Sequence, residues 1–212
     1  FKFEAAPLAS QTTPRAALAQ ACNTLRFDAD GIFADNTDGV GLVNYITRNA
    51  GVALQGCRLL LLGAGGAAAG VLGPLIEAGP SHITIANRSA DRAVALQARH
   101  SALAAQHGVA LHACSLTDIE GAYNVVVNAT ASSLGGAAVP VPGSVLAPGA
   151  LALDMMYGPA AQGFMAWAKE HGATPRDGLG MLVEQAAESF AVWRGVRPPS
   201  AQVLAELRAT LT

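Results

Sequence analysis

The sequence predicts an α/β fold built on a parallel sheet, and three observations carry that expectation. Leu59-Leu60-Leu61-Leu62 is apolar at every position, as a strand covered on both faces requires. The run breaks at once into Gly63-Ala64-Gly65-Gly66-Ala67-Ala68, a glycine turn followed by the small residues of a helix start. Beyond it, strand-like and helix-like segments alternate, the pattern of parallel strands joined by crossover helices.

Gly63, Gly65 and Ala68 fit the G-x-G-x-x-G/A spacing of a Rossmann-like dinucleotide turn in register. Gly63 allows the chain to turn, Gly65 allows a diphosphate to approach the backbone, and Ala68 lets the helix lie close to the strand. A helix over 67–78 would aim its free N–H groups and positive dipole end at that diphosphate. The plain alternative is a tight turn that holds no ligand. The next strand, from His82 to Ala86, runs into Asn87-Arg88-Ser89-Ala90-Asp91-Arg92. Asn87 stands where an acidic residue would accept from a free ribose 2′-hydroxyl and repel a phosphate. Arg88 and Arg92 lie four apart, so a helix starting near Ser89 brings both guanidinium forks to one anion. The expected cofactor is therefore NADP(H) rather than NAD. The plain alternative is that both arginines merely solvate a helix start.

The remaining elements follow in order. Pro14 to Ala21 reads as a helix entered through Thr12-Thr13, because proline suits the first helical position. Asn23–Phe27 and the segment from Ile32 form a hairpin or adjacent strands around Asp28-Ala29-Asp30-Gly31. Apolar residues at helical spacing continue from Val40 until Asn49-Ala50-Gly51 stops them. Strands are expected at 82–87, 109–113, 123–130 and 151–157, and helices at 89–107, 162–171, from 177–181 to about 193, and 200–211. A glycine- and proline-rich loop fills 135–148.

Composition bounds the partners. The 212 residues, 51% hydrophobic and 13% charged, can bury a sizeable core and make one or two domains. A net charge of −2 gives no reason to expect nucleic acid or a membrane surface, and no apolar run reaches the length of a span. Small anions are the better partners. Cys22, Cys57 and Cys114 are widely spaced without a C-x-x-C, which suggests neither a disulfide framework nor zinc and fits the cytoplasm. The histidines show no ligand spacing, so no metal is expected.

Several polar clusters lie outside the nucleotide unit: Lys2, Asn23-Thr24, Asp35-Asn36-Thr37-Asp38 and Gln185. Only Lys2 and Lys169 are lysines among the 13 lysines and arginines, so lysine is not the default cation here. Asp38 sits at a helix start, where the dipole keeps it ionised, and simple N-capping is the plain alternative for Asp35 or Asp38. Taken together, Phe1-Lys2, Cys22-Asn23-Thr24-Leu25, the D-N-T-D-G-V-G string from Asp35 to Gly41, the glycine turn, Asn87-Arg88-Ser89 with Arg92, Asn128-Ala129-Thr130, Asp154–Tyr157 and the D-G-L-G-M-L-V-E-Q string from Asp177 to Gln185 resemble the shikimate dehydrogenase family. The likeness spans the chain in the family's order, and those two long strings are its most specific parts.

The resemblance implies reversible NADPH-dependent reduction of 3-dehydroshikimate to shikimate, on the route to aromatic amino acids. It implies Lys2 and Asp38 as the acid/base pair, with the final proton donor left open between them. Asn23, Asp38, Tyr157 and Gln185 match substrate-binding positions. Gly63, Ala64, Gly65, Gly66, Ala67, Asn87, Arg88, Ser89, Arg92, Met155 and Gly178 match cofactor-binding positions. The implied layout is a substrate domain over 1–45 and 179–212, discontinuous and partly missing, around a Rossmann-like NADP-binding domain over 46–178. The family's strand-rich start, with a Ser-x-Ser pair gripping the substrate carboxylate, has no counterpart here, so the chain is expected to be N-terminally truncated. Two other readings stay open: a quinate/shikimate dehydrogenase using NAD, and a non-catalytic NADP-sensing module. A homodimer is one possible assembly.

Overall fold

A computed structural model describes the backbone of residues 2–131 and 138–211 and the side chains of residues 4–131 and 138–210. A short helix α1 (Lys2–Ala5) leads to a small sheet of β1 (Gln11–Thr12), β2 (Thr24–Asp28) and β3 (Gly31–Asp35), ordered β1-β3-β2. β2 and β3 form the expected antiparallel hairpin, and β1 adds parallel to β3. Between β1 and β2 lies α2 (Pro14–Ala19), capped by the Thr13 hydroxyl on the Ala16 N–H and stopped at Gln20 in the left-handed region. It is shorter than the expected helix because the Ala21 N–H returns to the Ala16 carbonyl. α3 (Asp38–Asn44) then passes into a π turn, Tyr45–Asn49.

The larger sheet holds β4 (Arg58–Leu62), β5 (His82–Asn87), β6 (Ala110–Ser115), β7 (Tyr123–Asn128), β8 (Leu146–Asp154) and β9 (Thr174–Arg176). Its order is β6-β5-β4-β7-β8-β9, and every pairing is parallel. The crossovers are α4 (Gly66–Glu77), α5 (Ala90–Gln106) and α6 (Gln162–Glu170), and α7 (Leu179–Arg194) and α8 (Ser200–Leu211) close the chain. Burial explains the leucine run. Leu59 and Leu61 pack with α4 and α5, with Leu42 of α3 and with Ile46 of the π turn, while Leu60 and Leu62 pack with Phe164 and Ala168 of α6 on the opposite face. The expected Rossmann-like parallel sheet, covered on both faces, is present.

β8 begins inside the expected loop and ends before Tyr157. There the Met155 N–H makes the last ladder bond, to the Asn128 carbonyl, and the Met156 N–H turns back to Asp154 Oδ1, which closes the strand. β9 is short and contains Pro175, which has no N–H to give a ladder and is tolerated only at a sheet edge.

Small residues let the two sheets' helices meet. A Cβ at Gly39 would lie 2.5 Å from Pro74 Cγ, and one at Gly41 would lie 2.6 Å from the Gln185 nitrogen. α3 is thus wedged between α4 and α7 at backbone distance.

His100 of α5 is fully buried, its Nδ1 3.0 Å from the Leu96 carbonyl and its Nε2 without a partner. Burial holds its pKa below the ordinary 6.5, so the folded state resists a proton that the unfolded chain accepts. Its stabilising share is complete above pH 6.5 and is lost as pH falls through the folded value. Urea midpoints at about pH 8 and about pH 5.5 should therefore drop on acidification, and drop less in His100→Leu.

Candidate active site

The carboxyl ends of the parallel strands define one crevice. The chain leaves β4 for β5 and β6 in one direction and returns to β7, β8 and β9 in the other, so β4 and β7 flank the point where strand order reverses. Gly63 lies there with φ +108°, and a Cβ on it would meet Ala129 and Thr130 at 3.2 Å. Gly65 faces open space, with no atom within 4 Å of a built Cβ, and it caps α4 without any side-chain acceptor. Ala64, Gly66 and Ala67 complete the turn and the first residues of α4, whose leading N–H groups point out of the helix end. These residues fit a dinucleotide diphosphate.

Beside this turn, Asn87, Arg88, Ser89 and Arg92 line a cavity of about 510 Å³ that Leu116, Thr130, Ala131 and Pro140 wall on the other side. Ser89 stands at the N-cap position of α5 without a side-chain hydrogen bond, and Asn87 Nδ2 donates to the Ser89 carbonyl at 2.9 Å, which pins the start of the loop. Both arginines are exposed, and neither has an acidic partner among the described residues. An anion entering this cavity meets two unpaired guanidinium forks. The arrangement fits a phosphate on the adenosine ribose.

On the far side of α4 a buried polar cluster assembles from the small sheet, α3 and α7. Asn23 Nδ2 lies 2.8 Å from Asp38 Oδ1, 2.9 Å from Gln185 Oε1 and 3.0 Å from Thr37 Oγ1. Asp38 is the first residue of α3 but does not cap it. Its carboxylate faces Asn23 and the backbone of Gly70, where a Cβ would lie 3.2 Å from Asp38 Oδ2. Asn36 sets this position, its Nδ2 donating to the Ala21 carbonyl and its Oδ1 accepting from the Asp38 N–H.

Asp35 is not a cap either. Its carboxylate accepts from Arg15 Nε at 2.7 Å, a second Arg15 nitrogen at 2.5 Å, the Thr13 hydroxyl and the Asn36 N–H. Burial alone would push this carboxyl up. The Arg15 and Thr13 hydrogen bonds, with the Arg15 charge, outweigh burial and hold it below the usual carboxylate range.

The structure thus brings together Asn23, Asp38 and Gln185, and separately Arg88, Arg92, Asn87 and Ser89 beside the glycine turn. Met155 and Gly178 meet where β8 and β9 end, so closely that a Cβ on Gly178 would collide with the Met155 carbonyl. Tyr157 is not gathered in. It is 47% exposed beyond the end of β8 and makes no hydrogen bond among the described residues. The Lys2 side chain lies outside the described residues, as does most of the segment after Asn128-Ala129-Thr130. Thr24 and Thr37, part of the polar clusters read from the sequence but given no role there, and Ser189, which no sequence pattern singled out, sit directly behind Asn23. Ser189 could have been found from its place one helical turn beyond Gln185.

Fold and crevice define an α/β oxidoreductase of the dinucleotide-binding kind. Residues 46–135 match the family model described as shikimate/quinate 5-dehydrogenase, and residues 178–208 match the shikimate 5′-dehydrogenase C-terminal domain. The chain is 71% identical to a shikimate dehydrogenase (NADP(+)) of Methylibium petroleiphilum, covering 100% of this chain and 72% of the relative. Against the enzyme of the same name from Verminephrobacter eiseniae it is 65% identical, over 98% and 73% of the two chains. Among solved structures, an Ael1 enzyme from Pseudomonas putida superposes with a TM-score of 0.88 at 44% identity, over 98% of this chain and 75% of that one. Shikimate 5-dehydrogenase from Thermus thermophilus, in complex with NADP(H) and shikimate, superposes with a TM-score of 0.82 at 29% identity, over 99% and 76%. The chain belongs to the shikimate dehydrogenase family.

Replacing Asp35 by Asn leaves the Arg15 guanidinium beside a neutral amide in a half-buried site, at a cost of about 2–4 kcal/mol of folding free energy by denaturant titration. Because the folded pKa lies below 3.8, that difference from wild type is full above pH 3.8 and shrinks as pH falls through the folded value.

Proposed function

We propose that the protein catalyses the reversible NADPH-dependent reduction of 3-dehydroshikimate to shikimate. The observation that carries this reading is the meeting of Asn23 Nδ2 with Asp38 Oδ1 and Gln185 Oε1, on the same α3–α4 junction that presents the dinucleotide turn. A carboxylate and two carboxamides in one pocket are the donor and acceptor set that a ring bearing several hydroxyls requires.

Gly63, Ala64, Gly65, Gly66 and Ala67 would hold the diphosphate, and Asn87, Arg88, Ser89 and Arg92 the ribose phosphate. Met155 and Gly178 would flank the nicotinamide. When bound, the cofactor supplies the hydride that reduces the ketone. As the ketone oxygen becomes an alkoxide, a lysine ammonium within hydrogen-bond reach stabilises the charge and can deliver the proton, the part assigned here to Lys2. Asp38 accepts hydrogen bonds from the substrate and orients the ammonium. Asn23 and Gln185 take ring hydroxyls, with Tyr157 at the rim.

The same reading assigns residues 1–45 and 179–212 to the substrate domain and 46–178 to the NADP-binding domain. The separate small and large sheets support that division. Cys22, Cys57 and Cys114 are thiols rather than disulfide partners, which supports the cytoplasm, and no helix among the described residues is long and apolar enough to cross a membrane. Phe190 and Trp193, exposed on α7, support a homodimer as the assembly.

In the full-length chain, Lys2→Ala should lower kcat by about 10²–10⁴-fold while NADP affinity stays near wild type; near-normal turnover would remove Lys2 from the mechanism. Arg88→Ala and Arg92→Ala should each weaken NADP binding by roughly tenfold or more and leave NAD binding unchanged, read by titration calorimetry with both cofactors. Equal losses for the two cofactors would overturn the assignment of the two arginines to the ribose phosphate and favour the quinate/shikimate dehydrogenase using NAD.

A further inference from the structure

Behind the amide that faces Asp38 and Gln185 lies a closed set of hydroxyls. Ser189 Oγ on α7 is 2.7 Å from Thr24 Oγ1 of β2 and 3.0 Å from Thr37 Oγ1 at the start of α3. Thr24 Oγ1 is 2.9 Å from Asn23 Oδ1, which also accepts the Thr37 N–H at 3.0 Å. Thr24 and Thr37 are 1% and 0% exposed and Ser189 8%, so no bulk water competes for these protons.

Proton counting gives the set a direction. Both Asn23 N–H bonds are used toward Asp38 and Gln185, the acceptors nearest to Nδ2. Thr37 O–H then donates to Ser189, Ser189 donates to Thr24, and Thr24 donates to Asn23 Oδ1. Asn23 Oδ1 has no proton to give, so Thr24 must donate across their 2.9 Å, which leaves the 2.7 Å contact to the Ser189 proton and the 3.0 Å contact to the Thr37 proton. The alternatives, Ser189 to the Gln185 carbonyl at 3.1 Å and Thr37 to Asn23 Oδ1 at 3.2 Å, are longer. Because Ser189 fills the oxygen of Thr24, the Thr24 proton can point only at Asn23.

We infer that Ser189 is a positioning residue for substrate recognition: it fixes the direction of the Thr37–Ser189–Thr24 relay and so holds the Asn23 carboxamide with its NH₂ toward Asp38 and Gln185. This rests on the reading of Asn23 as a substrate ligand. The cofactor side shares none of these groups, so the effect belongs to the substrate alone.

The test is steady-state kinetics on the full-length chain with Ser189→Ala, Ser189→Cys, Asn23→Ala and the Asn23→Ala/Ser189→Ala double variant. Cysteine keeps the volume but hydrogen-bonds poorly. Both Ser189 variants should raise KM for shikimate about threefold to tenfold, with kcat within about twofold and KM for NADP unchanged. Ser189→Ala should add nothing once Asn23 is alanine. A pure packing effect, seen as wild-type KM in Ser189→Cys with only Ser189→Ala impaired, would overturn the relay, as would a Ser189→Ala effect of undiminished size in the Asn23→Ala background. An unchanged shikimate KM in Asn23→Ala alone would overturn the reading of Asn23 itself and the relay with it.

Discussion

The backbone-to-backbone packing of α3 is the constraint on which the rest of the site depends. Gly39 lies against Gly70 and Pro74 of α4, and Gly41 against Gln185 of α7, at separations no Cβ could share. On the next turn, Gly180 of α7 takes the Tyr45 ring in the same way. The glycines cost conformational entropy and helix propensity. In return α3 touches the helix that starts at the dinucleotide turn and the helix that carries Gln185 at once. Asp38, one residue ahead of Gly39, is thereby committed to the junction. Any side chain at Gly41 would separate α3 from α7 and draw Gln185 away from Asn23.

A second constraint keeps α7 in place along its length. Arg15 bridges Asp35 and Glu188, and Arg197 bridges Glu188 and Glu184, while the Ser200 hydroxyl donates to Glu184. Two guanidinium groups therefore alternate with three carboxylates from β3, around α7, to the start of α8. Half-buried pairs of this kind add little net stability over an apolar replacement, because desolvation offsets the attraction. Their use here is geometric. Glu184 and Glu188 lie one turn apart on a single face of α7, next to the face that carries Gln185, so the belt fixes the rotation of α7 and hence the direction in which Gln185 points.

Much of this was legible in the residues, for reasons that can be stated. The leucine run, the glycine turn and the alternation after it specify a parallel sheet through local pattern alone, and each is where it was expected. β9 was not legible because three residues with a central proline carry no period, and only pairing with β8 makes them a strand. The end of β8 was misplaced because Met155, Met156 and Tyr157 continue an apolar pattern, while the Met156 N–H, bonded back to the Asp154 carboxylate, closes the strand at Asp154. Within the site, Asn23, Asp38 and Gln185 were named from resemblance, not from spacing. Their separation in the chain is up to 162 positions, and no local rule brings them together. The helix-cap reading of Asp35 and Asp38 failed for the same reason. Local propensity favours capping, and Arg15 and Asn23, both outside the local window, offer stronger partners.

The two halves of the site differ in how much of their arrangement exists before any ligand arrives, and the difference follows from burial. Asp38, Thr24 and Thr37 are buried, and their polar atoms already satisfy one another through Asn23, so the Asn23 and Gln185 amides are oriented in advance and, on the proposed reading, would lose little freedom on binding. Arg88 and Arg92 are exposed, and water screens them until a charged group displaces it. Recognition there draws on charge, is weakened by salt and depends on the ligand to order the side chains. On the proposed reading, recognition at Asn23 draws on directed hydrogen bonds among partly buried groups and depends less on salt. On the proposed reading, the arginine side would therefore discriminate by the number of charges on its ligand, and the Asn23 side by where hydroxyls stand on a ring. α3, packed against both α4 and α7, is the single element through which a change on one side can be felt on the other.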